Sequence, residues 1–186
     1  MKNKKDATRM LLGESLQTLM LQYPFDKITI KMIADEAGVI RPTFYNYFQD
    51  KYELLEWIFI TDIVDKVKDM TDAGMEKEGI KLFFRLIEKD KAFYRKAIAV
   101  TGQNSFETVL LNHIYELFYD KIIRSPHKAS MEIKLLTPES MALYYSQGLV
   151  NIIKFWLTSG NVSASSDDIM EAYFYMLSHS IFDILE

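Results

Sequence analysis

The sequence predicts an all-α protein, and three observations carry that prediction. Apolar residues recur three and four apart in almost every segment of the 186-residue chain, the spacing that gathers them on one side of a helix. Proline, glycine or short polar phrases fall between those segments, where helices must stop. The stretch 29–51, TIKMIADEAGVIRPTFYNYFQDK, reads as two short helices joined by a tight turn.

The first helix is expected over about 4–22, with Leu12, Leu16, Leu19 and Tyr23 on one face and Pro24 as its end. Ile30, Ile33 and Ala34 then share a face. Thr29 precedes them, placed to accept a bond from a free backbone N–H. Gly38 follows Ala37, where a helix ending needs positive φ. The next helix begins near Arg41 and Pro42, because a first-turn N–H has no helical partner and proline lacks one anyway. Phe44 and Phe48, four apart, face inward together. Arg41, Thr43, Tyr45, Asn46 and Tyr47 remain on the outer faces. A guanidinium, hydroxyls and a carboxamide at a helix start suit hydrogen bonding to phosphates and base edges in a DNA major groove. A purely structural hairpin would account for the two phenylalanines but not for those outer groups. Arg41 is expected to read a base edge, with guanine the expected base, and Thr43 and Asn46 to add base or phosphate contacts. Tyr45, Tyr47, Lys51 and Thr29 are expected to hold phosphates, and Pro42 to set the helix start. Lys4, Lys5 and Arg9 either meet phosphates at the edge of that site or form a solvated helix start.

Asp50 is placed to cap a long helix to about Ala73, with Leu54, Leu55, Ile58, Phe59 and Ile63 on its apolar side. After Asp72-Ala73-Gly74, helices are expected at about 78–89 and 91–101. A polar break at 101–105 precedes another at about 106–123. Residues 126–137 suggest no element, and Thr137 then caps a helix opening at Pro138. Two unusually apolar helices, 138–158 and 166–185, close the chain. In the first, Met141, Tyr145, Gly148, Leu149, Ile152 and Trp156 form one stripe, yet Leu143, Val150, Ile153 and Leu157 fall elsewhere around it. The last carries Ile169, Tyr173, Met176, Leu177, Ile181 and Ile184. Helices apolar on more than one side must be buried on more than one side. A two-fold homodimer is therefore expected, with Tyr145, Gly148, Leu149, Ile152, Trp156, Tyr173, Leu177 and Ile181 at its interface.

Composition excludes some functions. The chain has no cysteine, which removes disulfides, thiolate catalysis and cysteine-based zinc sites. No run approaches the ~18 apolar residues of a membrane span, and no signal-peptide core follows the basic N-terminus. A cytoplasmic protein without membrane association is expected. The net charge of −4 argues against nucleic acid at first. However, residues 1–51 hold eight Lys and Arg against six Asp and Glu, so the acidic excess lies beyond them. His113 and Glu116 have a spacing that can share a metal, but no second pair accompanies them, and a hydrogen bond is the expected role. No nucleophile elbow, HExxH or phosphate-binding glycine loop is present, so neither an enzyme nor a cofactor is expected. Arg95, Gln103 and Asn104 either orient an effector in a body pocket or cap helices and turns.

The pattern T-I-x-x-I-A-x-x-A-G-V-x-R-x-T-F-Y-x-Y-F-x-D-K over 29–51 resembles the DNA-binding signature of the TetR family of bacterial transcription regulators. The resemblance covers about the first third of the chain. It implies a DNA-binding head over 1–51 and a helical effector-binding and dimerisation body over 52–186. The helix after Lys51 becomes the connector, and the last two helices pair with their mates in a four-helix bundle. The implied partners are double-stranded DNA, a second copy, and a small-molecule or protein effector. One position departs from the pattern: Ile40 stands where the family usually has a capping Ser or Thr. Losing such a cap costs about 0.5–2 kcal/mol, offset in part by the φ that Pro42 sets. The phrases FYRKAIAVTGQNSF and DKYELLEWIF resemble a branch related to an activator of dihydroxyacetone kinase genes. That branch implies an alternative, a co-regulator whose body docks a kinase-like or other protein.

Overall fold

The computed structural model describes residues 4–102, 104–125, 133–160 and 163–185. Among them every regular element is helical. Helix α1, Lys4–Gln22, buries Leu12, Leu16 and Leu19, while Tyr23 just beyond it stays exposed. A single tight turn at Phe25–Lys27 leads to α2, Ile30–Glu36, and α3, Arg41–Tyr45. The Thr29 hydroxyl caps α2 by accepting from the Met32 N–H. Between α2 and α3, Gly38 takes φ +67. There the Val39 N–H bonds back to Ala34 O at 2.9 Å and the Gly38 N–H to Asp35 O at 3.1 Å. This is the left-handed helix ending that glycine permits.

Asp50 caps α4, Lys51–Phe59, accepting from the N–H groups of Tyr52 and Glu53 at 2.8 and 2.9 Å. The long connecting helix expected from sequence is present but not uniform. Residues Ile60–Val64 form a π-helical turn, in which the Asp65 N–H reaches Ile60 O, before α5 resumes over Asp65–Asp72. The spacing of buried residues supplies the reason. Leu55, Phe59, Ile63, Val67 and Thr71 recur every four residues, and on a helix of 3.6 residues per turn such a stripe drifts around the axis. One wider turn takes up the excess and keeps the stripe on the core.

The body adds α6 (Glu76–Lys89), α7 (Lys91–Ile98), α8 (Phe106–Arg124) and α9 (Pro138–Thr158). It closes with α10 (Ser166–Ser178) and α11 (Ile181–Leu185). Helix α8 runs along α9, α6 lies on α5 and α10, and α1 rests on both α4 and α7. Buried apolar side chains form one contiguous cluster from Leu12 to Tyr173, so the core does not break between the N-terminal helices and the rest. Glu88 of α6 anchors α10 by accepting from the Ser166 N–H and hydroxyl at 2.9 and 2.6 Å.

Two expectations need correction. The last helix is not continuous to 185: it breaks at His179, whose ψ of 137 is extended. There the Ser178 hydroxyl turns back to Phe174 O, and Ser180 and Asp183 cap a new turn reciprocally. The second correction concerns the faces of α9 and α10. Leu149, Trp156 and Tyr173, expected at a partner's surface, are enclosed in the chain's own core. The Trp156 indole N–H donates to Ala164 O at 2.8 Å, and its ring lies 4.3 Å from the Lys91 ammonium. The exposed apolar face of α9 lies opposite, with Tyr144 72% and Phe155 57% exposed beside Gly148 and half-buried Ile152. Tyr145, Leu177 and Ile181 are exposed. A helix apolar all round does not disclose which side its own chain covers. Residues 126–132 and Gln103 lie outside the described residues.

Candidate nucleic-acid interface

Helix α3 is held against the rest by Phe44 and Phe48, both buried, with ring centroids 5.8 Å apart. Phe48 continues into an edge contact with Trp57 of α4 at 5.6 Å. The opposite face is open. Arg41, Pro42, Tyr45 and Asn46 are exposed, while Thr43 and Tyr47 are half-buried. The Arg41 guanidinium donates to the Tyr45 hydroxyl at 3.0 Å and lies 5.6 Å from the centre of its ring. Arginine and tyrosine thus form one unit, four residues apart on the helix. Arg9 of α1 brings a second guanidinium to this surface, 6.0 Å from the Tyr47 ring centre. Asn46 ends the helix with its carboxamide in solvent. Ile40 stands at the start of α3 and provides no side-chain cap.

Lys51 does not take the role expected of it. Its ammonium points inward and donates to Phe25 O at 2.6 Å, Ile28 O at 2.8 Å and Asp26 O at 3.3 Å. It also lies 4.6 Å from the centre of the Phe25 ring. An ammonium has three hydrogens, and these carbonyls account for them. Lys51 closes the turn between α1 and α2 and is not presented to a phosphate. Burial lowers its pKa, opposed by Asp26 and Asp50. Thr29 is exposed, with its oxygen engaged in capping.

The head meets the body at a polar cleft of about 250 Å³ between α1, the π-helical turn and the end of α6. Across it Gln17 donates to Asp62 at 3.1 Å. Burial raises the Asp62 carboxyl above its ordinary value, with Lys66 and the Gln17 bond acting the other way. Arg95 and Asn104, the described members of the expected effector set, do not converge on a cavity. Arg95 ties α7 to α9 by donating to Leu157 O at 2.9 Å, and Asn104 sits exposed in the turn before α8. An apolar hollow of about 100 Å³ lies instead between α5, α6, α8 and α9, lined by Val67, Phe83, Ile114 and Leu149. It shares Ile80, Phe118 and Lys121 with a shallower groove of about 320 Å³ that runs to Tyr145, Tyr173 and Leu177. The Tyr173 hydroxyl beside that groove is buried and has no hydrogen-bond partner among the described residues. Sequence reasoning missed this hollow because its lining residues are indistinguishable from core. His113 bonds to Glu56 across 2.8 Å. Among the described residues no helix is long and apolar enough to cross a membrane.

This two-helix reader on a helical body has clear relatives. Residues 17–58 match the bacterial regulatory proteins of the tetR family, and residues 76–179 match a transcriptional regulator C-terminal region. The chain belongs to the TetR family. It is 30% identical over 127 residues to the HTH-type dhaKLM operon transcriptional activator DhaS of Lactococcus lactis, across 68% of this chain and 66% of that protein. It is 26% identical over 179 residues to the HTH-type transcriptional regulator YxbF of Bacillus subtilis, across 91% of this chain and 44% of that protein. The chain therefore spans just under two thirds of one relative's length and under half of the other's. The solved dihydroxyacetone kinase operon activator DhaS superposes with a TM-score of 0.66 and 25% identity over 92% of each chain. A TetR-family regulator from Syntrophomonas wolfei gives a TM-score of 0.74 at 14% identity, over 94% of this chain and 95% of its own. That second likeness concerns the fold alone. The chain is a TetR-family transcription regulator with an N-terminal helix-turn-helix and a C-terminal regulatory region.

Proposed function

We propose that the chain binds an inverted-repeat operator as a homodimer, through a head ending near residue 51, and answers an effector through the body from residue 52. The observation that carries the DNA reading is the open face of α3, where the Arg41–Tyr45 unit and Asn46 stand together. The dimer reading rests on the outer face of α9 and α10, where Tyr144, Phe155, Tyr175 and Met176 are each more than half exposed. Such a face suits a four-helix contact of the ~2,000 Å² or more common in obligate dimers. Each copy would bring one α3 to the duplex, with half-sites about one helical turn, ~34–36 Å, apart. Similarity to DhaS supports activation of transcription, and a DNA-binding regulator would work in the cytoplasm.

For the effector, the hollow and groove beside Lys121 replace the Arg95 cluster. A second reading has the body docking a protein. It is favoured by the small size of the hollow, about 100 Å³, well under the ~300–1,000 Å³ of ligand pockets.

Selection of bound duplexes from a random pool tests the core of this reading. The expected result is an enriched inverted repeat. Arg41→Ala should then cost about 1–3 kcal/mol and relax preference at one base pair per half-site. Failure to enrich any repeat overturns it. Repeating the selection with fractionated metabolites and with intact cell extract separates the two effector readings.

A further inference from the structure

We propose that Ile40 reads the C5-methyl group of a thymine beside the base pair contacted by Arg41. The inference rests on the DNA-binding reading of α3 given above.

Ile40 is 70% exposed and extended, with φ −80 and ψ 147, at the position that should cap α3. A Ser, Thr, Asp or Asn there would accept a bond from an N–H of the first turn and strengthen the helix. A helix of only five residues, Arg41–Tyr45, has most need of that help. The chain forgoes it and puts a branched aliphatic group at the tip of the helix expected to enter the groove.

The chemistry of that tip points away from phosphate. Pro42 has no N–H to offer. The Thr43 N–H is already bound to Ile40 O at 2.8 Å. The start of α3 is thus short of backbone donors and rich in aliphatic carbon, from Ile40 and the exposed Pro42 ring. An aliphatic group pressed on a phosphate removes water from a charge and returns no bond. In the major groove, thymine is the base whose edge presents a methyl group. Ile40 is bonded directly to Arg41, so its target lies next to the base pair that Arg41 reads.

Deoxyuridine in place of thymidine removes only the methyl group, which makes the test specific. Each thymine of the selected operator is replaced in turn, and binding is measured by fluorescence anisotropy. The parent should lose affinity about four-fold per altered half-site, and about sixteen-fold with both altered, at one thymine beside the Arg41-dependent pair. Ile40→Ser restores a cap, so it should fold at least as stably as the parent. It should bind thymine and uracil operators equally while keeping its dependence on Arg41. Identical uracil profiles for parent and Ile40→Ser would overturn the inference and leave DNA binding intact. So would a loss confined to thymines away from the Arg41 pair. A parent that selects no duplex overturns both readings together.

Discussion

Lys51→Met separates a structural lysine from a phosphate-binding one. Methionine keeps most of the aliphatic stem and removes the ammonium. Two of the three lost bonds are short, 2.6 Å to Phe25 O and 2.8 Å to Ile28 O, and the third is longer and exposed at 3.3 Å. Hydrogen bonds to a charged group contribute about 1.5–3 kcal/mol each. Lys51 is half-buried, so water reoccupies part of the site and the lower end applies. The two short bonds then give about 3 kcal/mol, and the cation beside Phe25 adds ~0.5. Regained hydration of the freed carbonyls and relief from burying an ammonium subtract from this, leaving about 2–3 kcal/mol. For a chain of this length that is a fall in Tm of roughly 4–12 °C by scanning calorimetry. Operator binding well below Tm should show the same dependence on salt as the parent, since no phosphate contact is lost. A phosphate-binding lysine gives the opposite pattern: an unchanged Tm and a salt slope reduced by about one. That result would refute the assignment of Lys51 to the turn between α1 and α2.

Asp62→Asn should stabilise the protein at pH 7. The folded-state pKa is raised above the ordinary 3.8 by burial, so the folded form holds the proton more tightly. The parent then loses stability as pH rises through that raised value. The gain from asparagine, read by thermal unfolding across pH, should vanish below the ordinary carboxyl range; a gain that persists there contradicts the cause given. Gly79→Ala should destabilise by about 1–2 kcal/mol despite its better helix propensity, because the new Cβ would stand 2.8 Å from Thr71 Cγ2. Adding Thr71→Ser removes that methyl group and keeps the hydroxyl bond to Lys68 O, so the double variant should recover the loss in urea unfolding. Trp156→Phe should cost about 2–3 kcal/mol of stability and leave the monomer–dimer equilibrium unchanged in sedimentation. Phe155→Glu should do the reverse, splitting the dimer with the fold retained.

The sequence alone determined those features that depend on neighbours along the chain. Helix starts capped by Thr29, Asp50 and Thr137 were legible because a cap acts on an N–H two or three residues away. The turn at Gly38 was legible because positive φ is a property of a single residue. The reading face of α3 followed from Phe44 and Phe48 alone, since two buried rings on a short helix fix which side remains outside. The π-helical turn was not legible, because the four-residue stripe from Leu55 ends on Thr71, a polar residue whose burial only the fold decides. Tertiary structure decided the matters that require knowing what lies across the gap. Lys51 precedes a helix in a DNA-binding motif, and only the folded turn at residues 25–28 places carbonyls within reach of its ammonium. Trp156 and Phe155 are adjacent and equally apolar, yet one is fully enclosed and the other more than half exposed. The difference comes from Phe84 of α6, Lys91 of α7 and the Ala164 carbonyl, which all meet the side of α9 that carries Trp156. Hydrophobicity states how much surface a helix must bury, and only the arrangement of the other helices decides where each part of it goes.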